Sequence, residues 1–268
     1  MKQNTSISVI LPIKSSKAKN FDEYFLKAIT SLKIQEEQID ELVIVHTSEE
    51  SLITHLNNFD FSGITVNRIL WDKSPNYCEQ INLGIKSAKN QWVSLFEFDD
   101  EYAKIWFKNV KKYITSFPSV QMFLPVVVET DEKGVFAGFT NEATFAANFT
   151  QEMGVLTNET LHDYQNFQTA GCVFKKNIIE DFGGLKGSIK LTFVYEFLLR
   201  LTYNSVSIMT IPKLGYKHTN LREGSIFWNY KNGQEKILED EIKFWVQTAK
   251  KEYFFTDDRV IKYQQENV

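Results

Sequence analysis

A chain of 268 residues with 43% hydrophobic and 24% charged residues has ordinary globular usage and enough length for one α/β domain with a full core. Its net charge of −4 supplies no broad basic field, so no nucleic-acid partner is expected. The two cysteines, Cys78 and Cys172, form no CxxC, which argues against a disulfide framework or a structural zinc site. No apolar run approaches the length of a bilayer span and no charged segment precedes an apolar one at the start, so a cytoplasmic location is expected.

In chain order, Ile7–Pro12 is a short apolar run closed by proline and reads as a buried strand. Phe21–Lys33 spaces Phe21, Tyr24, Phe25, Ala28, Ile29 and Leu32 at helical intervals. Glu41–Val45 is a second buried strand, Glu50–Phe59 a helix and Thr65–Leu70 a third strand. Pro75–Ala88 is a helix, Trp92–Phe96 a fourth strand, Tyr102–Phe117 a helix stopped near Pro118, and Gln121–Glu129 a fifth strand. This alternation predicts a mostly parallel, Rossmann-like central sheet flanked by helices. Ligands of such sheets sit beyond the carboxyl ends of the strands. The second half is less regular. Asp131–Gly134 is a turn, Asn141–Asn166 is mostly loop with short helix, and Thr169–Lys175 is a strand. Phe193–Tyr203 is a helix, Val206–Pro212 a strand, and Lys231–Tyr253 a helix carrying Ile237, Ile242, Trp245 and Val246. The domain is expected over residues 1–230, with 231–268 a helical extension packed on it.

The densest chemistry is Glu97-Phe98-Asp99-Asp100-Glu101, directly after the fourth strand. Carboxylates at a strand end suit a hard divalent cation, and such a cation suits a diphosphate leaving group. The same residues also read as a solvated turn capping the helix near Tyr102.

Several segments, in order, resemble the family 2 glycosyltransferases with the GT-A fold. Ser8–Pro12 and Glu41–Val45 are similar to the first two strands, and Asn82-Leu83-Gly84-Ile85 with Ala88 to the helix before the metal motif. Trp92–Asp100 resembles the strand and its D-x-D-D motif, with Glu97 in place of the first aspartate. Gly171–Lys175 and Phe182-Gly183-Gly184 resemble the acceptor-side strand and turn, Glu196–Leu201 the helix of the catalytic acid, and Tyr216-Lys217-His218 with Arg222 and Ser225 the C-terminal histidine segment. The aspartate that usually ends the second strand is replaced by His46-Thr47, and the aspartate of the catalytic pair falls at Val194.

The resemblance implies an inverting, metal-dependent transfer from a nucleoside diphosphate sugar, a UDP-sugar first among them, with Mn2+ or Mg2+. Asp99, Asp100 and His218 are the expected metal ligands, Asp100 standing equally as a helix cap. Glu196 is the expected general base, its alternative being an i,i+4 ion pair with Arg200; Asp163 and Asp181 are reserves. Pro12, Lys14, His46, Asn76, Glu97 and Arg222 are expected on the donor, with Lys217 joining Arg222 on the diphosphate. Trp71, Trp106, Trp228 and Tyr230 are candidate sugar platforms. The acceptor is expected to be a glycan or lipid-linked saccharide; peripheral membrane association and oligomeric state stay open. The alternative is a catalytically silent GT-A domain that binds a glycan or a partner. A dinucleotide dehydrogenase and a P-loop enzyme are disfavoured, because neither GxGxxG nor GxxxxGK[ST] occurs.

Overall fold

The computed structural model describes residues 4–189, 191–220, 222–232 and 239–253. The predicted alternation forms β1 (Ile7–Ile13), α1 (Phe21–Lys33), β2 (Glu41–Thr47), α2 (Glu50–Asn58), β3 (Val66–Trp71), α3 (Tyr77–Ser87) and β4 (Trp92–Leu95). Strands β3, β2, β1 and β4 lie side by side in parallel. Side chains alternate across each strand. Ile7, Val9, Leu11 and Ile13 therefore enter one core with Phe25 and Ile29 of α1, whereas Ile10 enters the other with Ile81 and Ile85 of α3. Burial on both faces explains why β1 and β2 read as unbroken apolar runs. Gly84 lets α3 lie close on the sheet: a Cβ there would stand 2.5 Å from Ile10 Cγ2.

A two-residue strand, β5 (Glu101–Tyr102), precedes α4 (Trp106–Ser116), so the predicted helix starts four residues later than its apolar pattern suggests. Then come β6 (Met122–Thr130), β7 (Phe136–Thr140), a 3-10 turn at Ala143–Phe145, β8 (Gly154–Leu156), α5 (Asn158–Asp163), β9 (Val173–Lys175) and α6 (Asn177–Phe182). Helix α7 (Phe193–Tyr203) has the predicted bounds. The strand expected to end at Pro212 continues as β10 (Ile208–Thr219), with register shifts against β6 between Ile211 and Tyr216. A proline at such an irregularity removes no ladder bond.

The sheet runs β3-β2-β1-β4-β9-β6-β10-β5, with β7 on β6 and β8 on β10. Its longest ladders are parallel; β9 lies antiparallel between β4 and β6. Helix α8 (Ile226–Asn232) straddles residue 230, and α9 (Glu239–Glu252) packs on α7. Ala249 and Tyr253 are buried there. The expected Ile237 lies outside the described residues, as do the side chains of Ile242 and Trp245. Among the described residues no helix is long and apolar enough to cross a membrane.

Candidate active site

A crevice of about 460 Å³ opens where β1 and β4 end, the position that parallel sheets favour for ligands. Pro12 and Lys14 reach it from the end of β1, and Lys17 from the loop beyond. That loop is tied down by Glu49, which accepts hydrogen bonds from the hydroxyls of Ser15 (2.6 Å) and Ser16 (2.7 Å) and from the Ser16 N–H (3.1 Å). These bonds hold the Glu49 carboxyl at about 2 although burial acts in the opposite sense. Asn76 also lines the crevice and caps α3, its side chain accepting from the Glu79 N–H at 3.1 Å.

The acidic turn between β4 and β5 forms the floor. Both sides of it are clamped by β10. Tyr216 Oη accepts from the Glu97 N–H at 3.1 Å, Thr219 Oγ1 donates to the Asp99 carbonyl at 2.6 Å, and the Thr219 N–H donates to Asp100 Oδ1 at 2.8 Å. Tyr216 in turn fits because Gly171, at φ +66°, has no Cβ to meet its ring. Glu97, Asp99 and His218 all line the crevice. Asp99 Oδ2 accepts from Arg222 Nε at 2.5 Å, and the Arg222 guanidinium lies 4.8 Å over the Phe98 ring. Glu97 Oε1 accepts from Tyr77 Oη at 3.0 Å.

Three carboxylates crowded in low dielectric disfavour one another's charge. Burial and then the Asp100 charge push Glu97 up to about 7. The same two causes raise Asp99, against the lowering effect of Arg222. Burial would lower His218, but the Asp100 charge and hydrogen bond lift it to about 10. The local negative charge thus exceeds what Arg222 and His218 offset, which suits a bound cation.

Asp100 has another role than the expected one. It is 1% exposed, does not line the crevice, and both oxygens are engaged by Thr219 N–H and by His218 Nδ1 at 3.0 and 3.2 Å. A carboxylate bonded to one ring nitrogen orients the other for metal binding. Asp100 is therefore an orienting partner of His218, not a ligand facing the crevice. Among the described residues no three His, Cys, Asp or Glu form a cage for an ion. Magnesium, however, is commonly held by one or two carboxylates together with substrate phosphates. Asp99 fits that partial site, and with His218 beside it the pair suits manganese better than magnesium.

Other expectations are corrected. His46 lines neither cavity; it is buried at 8% exposure, and Nδ1 lies 2.9 Å from the Thr47 carbonyl. Lys217 pairs with Glu101 at 2.8 Å instead of facing the crevice. Trp71 and Trp106 are core residues, whereas Tyr230 of α8 does line the crevice. Asp163 and Asp181 line neither cavity.

Glu196 also leaves the site. It lines neither cavity and is 1% exposed. It accepts from Arg200 Nε at 2.9 Å and Nη2 at 3.0 Å, from Lys186 Nζ at 2.8 Å and from Tyr253 Oη at 2.9 Å. Arg200 binds the carbonyls of Phe182, Gly183 and Gly184 as well, so the pair staples α7 to the Gly-Gly turn. Burial would raise the Glu196 pKa, but the bonds from Arg200 and Lys186 lower it. A saturated carboxylate of lowered basicity is a poor proton acceptor.

Sequence reasoning missed Lys17, Tyr77, Phe193 and Phe227, which line cavities here. Tyr77 and Lys17 had a signal, since each lies within three residues of an expected donor residue. The two phenylalanines had none, because ring content alone does not separate core from cavity wall.

No protein-family model and no curated protein matches the chain. Solved structures do. Staphylococcus aureus TarS 1–349 in complex with UDP superposes with TM-score 0.59 at 16% identity, covering 80% of this chain and 60% of that one. Its complex with UDP-GlcNAc gives 0.61 at 17% identity, covering 83% and 60%. A further crystal structure of TarS 1–349 gives 0.60 at 16% identity, covering 91% and 70%. The chain thus spans about 60% of the length of the first two. The fold of this chain is shared with these TarS structures.

Proposed function

We propose that this chain is a glycosyltransferase that takes its sugar from a UDP-sugar in the crevice at the ends of β1 and β4. The observation that carries this reading is the charge arrangement there: Lys14, Lys17 and Arg222 face a cavity floored by Asp99 and His218. A diphosphate needs such cations, and a guanidinium matches its oxygens in two-pronged fashion. The fold supports the nucleotide, since TarS was captured on it with UDP and with UDP-GlcNAc.

Asp99 and His218 would hold a divalent cation, manganese or magnesium, with Asp100 fixing the imidazole. When bound, the cation supplies Lewis-acid neutralisation of the departing diphosphate. The chain's own groups do the rest. Arg222 and Lys14 bind the phosphates, and Pro12 and Asn76 shape the nucleotide end. In the inverting course, the acceptor oxygen forms its bond to the anomeric carbon as the bond to the diphosphate oxygen breaks. The acceptor proton passes to Glu97, which takes over the base role first expected of Glu196. Glu97 is, among the described residues, the carboxylate that lines both the crevice and the cavity beside it. Helix α9 is proposed as an extension packed on the domain through α7.

A binding module without turnover is the second reading, favoured by the engagement of Glu196 in its ion pair. Calorimetric titration with UDP and UDP-GlcNAc, with and without manganese, tests the proposal, followed by assay of UDP release. Tight UDP binding that Asp99→Ala weakens supports it. Absence of binding to either ligand removes it, and binding without release on any acceptor leaves the module.

A further inference from the structure

The crevice changes character along its length. In the sheet β1 lies between β2 and β4. Asp99 and its partner Arg222 mark the side toward β4. Gln80 of α3 marks the side toward β2, because its Nε2 donates to the carbonyls of Ile13 in β1 and Val45 in β2, at 3.5 and 3.4 Å. These contacts are long, but a carbonyl only accepts, so they fix which way round the amide stands. Gln80 is 2% exposed and lines the crevice. Among the described residues nothing donates to its Oε1, and that oxygen is not sealed in as Gln35 Oε1 is. It is a buried acceptor whose open side is the crevice.

One helical turn earlier the pattern is reversed. Asn76, the N-cap of α3, accepts from the Glu79 N–H through Oδ1 at 3.1 Å. That bond engages its acceptor and leaves Nδ2, which only donates. Gly187 lies against this amide, since a Cβ there would stand 2.8 Å from both Nδ2 and Oδ1. Asn76 and Gln80 are joined by the backbone bond from the Gln80 N–H to the Asn76 carbonyl at 2.9 Å, and residues at this spacing share one face of a helix. The crevice wall thus offers an acceptor beside a donor, each held by the other end of its own amide.

We propose that Gln80 and Asn76 select the nucleobase, Gln80 Oε1 accepting from the ring N3–H of uracil and Asn76 Nδ2 donating to the neighbouring carbonyl. Cytosine presents the inverse edge, a bare ring nitrogen beside an amine, so both contacts would set like against like. A site built to bond an N–H rejects the analogue lacking it, because its buried oxygen is then left unpaired. The proposal rests on the nucleotide-sugar reading above and adds the groups that choose the base. No strand-end carboxylate takes part, since His46 and Thr47 end β2 and neither lines the crevice.

Calorimetric titration of the full chain with UDP, CDP and 3-methyl-UDP, with manganese present throughout, tests this. UDP should bind at least about tenfold more tightly than either of the others. Gln80→Met keeps the length of the side chain without its acceptor and should bring UDP and CDP to within about threefold of each other. Because Gln80 also holds two strand ends, the melting temperature of the variant is recorded alongside; if it does not fold, the 3-methyl-UDP comparison on the native chain decides alone. Equal binding of UDP and either other ligand overturns the proposal and leaves the transferase reading intact. So does a folded Gln80→Met that keeps the full preference for UDP. A preference for UDP without UDP release from UDP-sugars removes the transferase reading and leaves the base selection standing. Failure of all the ligands to bind removes both.

Discussion

Replacing Glu196 by alanine separates a structural carboxylate from a catalytic one. Glu196 and Arg200 are 1% and 7% exposed, and the substitution leaves Arg200 buried without its counter-charge. Removing one partner of a buried pair costs about 3–5 kcal/mol. Arg200 keeps its bonds to the carbonyls of Phe182, Gly183 and Gly184, which places the loss near the lower end, about 3 kcal/mol. For a domain of this size each kcal/mol lowers Tm by about 2–4 °C, so Glu196→Ala should melt about 6–12 °C earlier by circular dichroism. The sign with pH follows from the lowered native pKa of Glu196. Its stabilisation is complete above the ordinary value of 4.5 and is lost as pH falls through the lowered native one. The gap between native and variant should therefore close in acid. A variant that melts within about 2 °C of the native chain yet loses UDP release would refute the reasoning and return Glu196 to the role of base.

Arg222→Ala removes a charge-assisted contact worth about 1.5–3 kcal/mol, so UDP should bind roughly 10- to 150-fold more weakly by calorimetry. Lys217→Ala, whose partner is Glu101, should leave UDP affinity unchanged in the same titration. Glu49→Gln loosens the loop bearing Lys14 and Lys17 and should raise the KM for the UDP-sugar more than it lowers kcat. Because the native Glu49 pKa lies at about 2 against 4.5, its support of that loop holds above pH 4.5 and fades as pH falls toward 2. Gly84→Ala brings a methyl to 2.5 Å from Ile10 and should destabilise by about 1–3 kcal/mol in urea, despite the better helix propensity of alanine.

Much of the first half was legible because burial on both faces writes itself as apolar runs, as in Ile7–Ile13 and Glu41–Thr47. The same logic brought Asp99 and Lys14 to one crevice, since strand ends of a parallel sheet face the same way. The short strands were not legible. The three residues of β9 take their antiparallel place from neighbours far away in the chain, and β7 leaves Phe136 and Phe139 exposed against the usual pattern. Pro212 concealed the second half of β10, and with it the strand setting of His218. His46 stands at a strand end as expected, yet its ring bonds to the Thr47 carbonyl, a rotamer choice that spacing does not encode. For Glu196 the pairing with Arg200 was visible at i,i+4, but Lys186 and Tyr253 come from distant segments.

The place of β10 in the sheet also sets when the site can exist. Its residues clamp the acidic turn from the far side, and the walls of the two cavities extend to Phe227 and Val246. A ribosome-bound fragment ending at α7 carries Lys14, Glu97 and Asp99 but lacks β10, and with it the bonds that shape their turn. The turn is thus shaped only once β10 has joined the sheet. The wide sequence separation of these contacts slows folding, and it couples the shape of the acidic turn to the docking of β10.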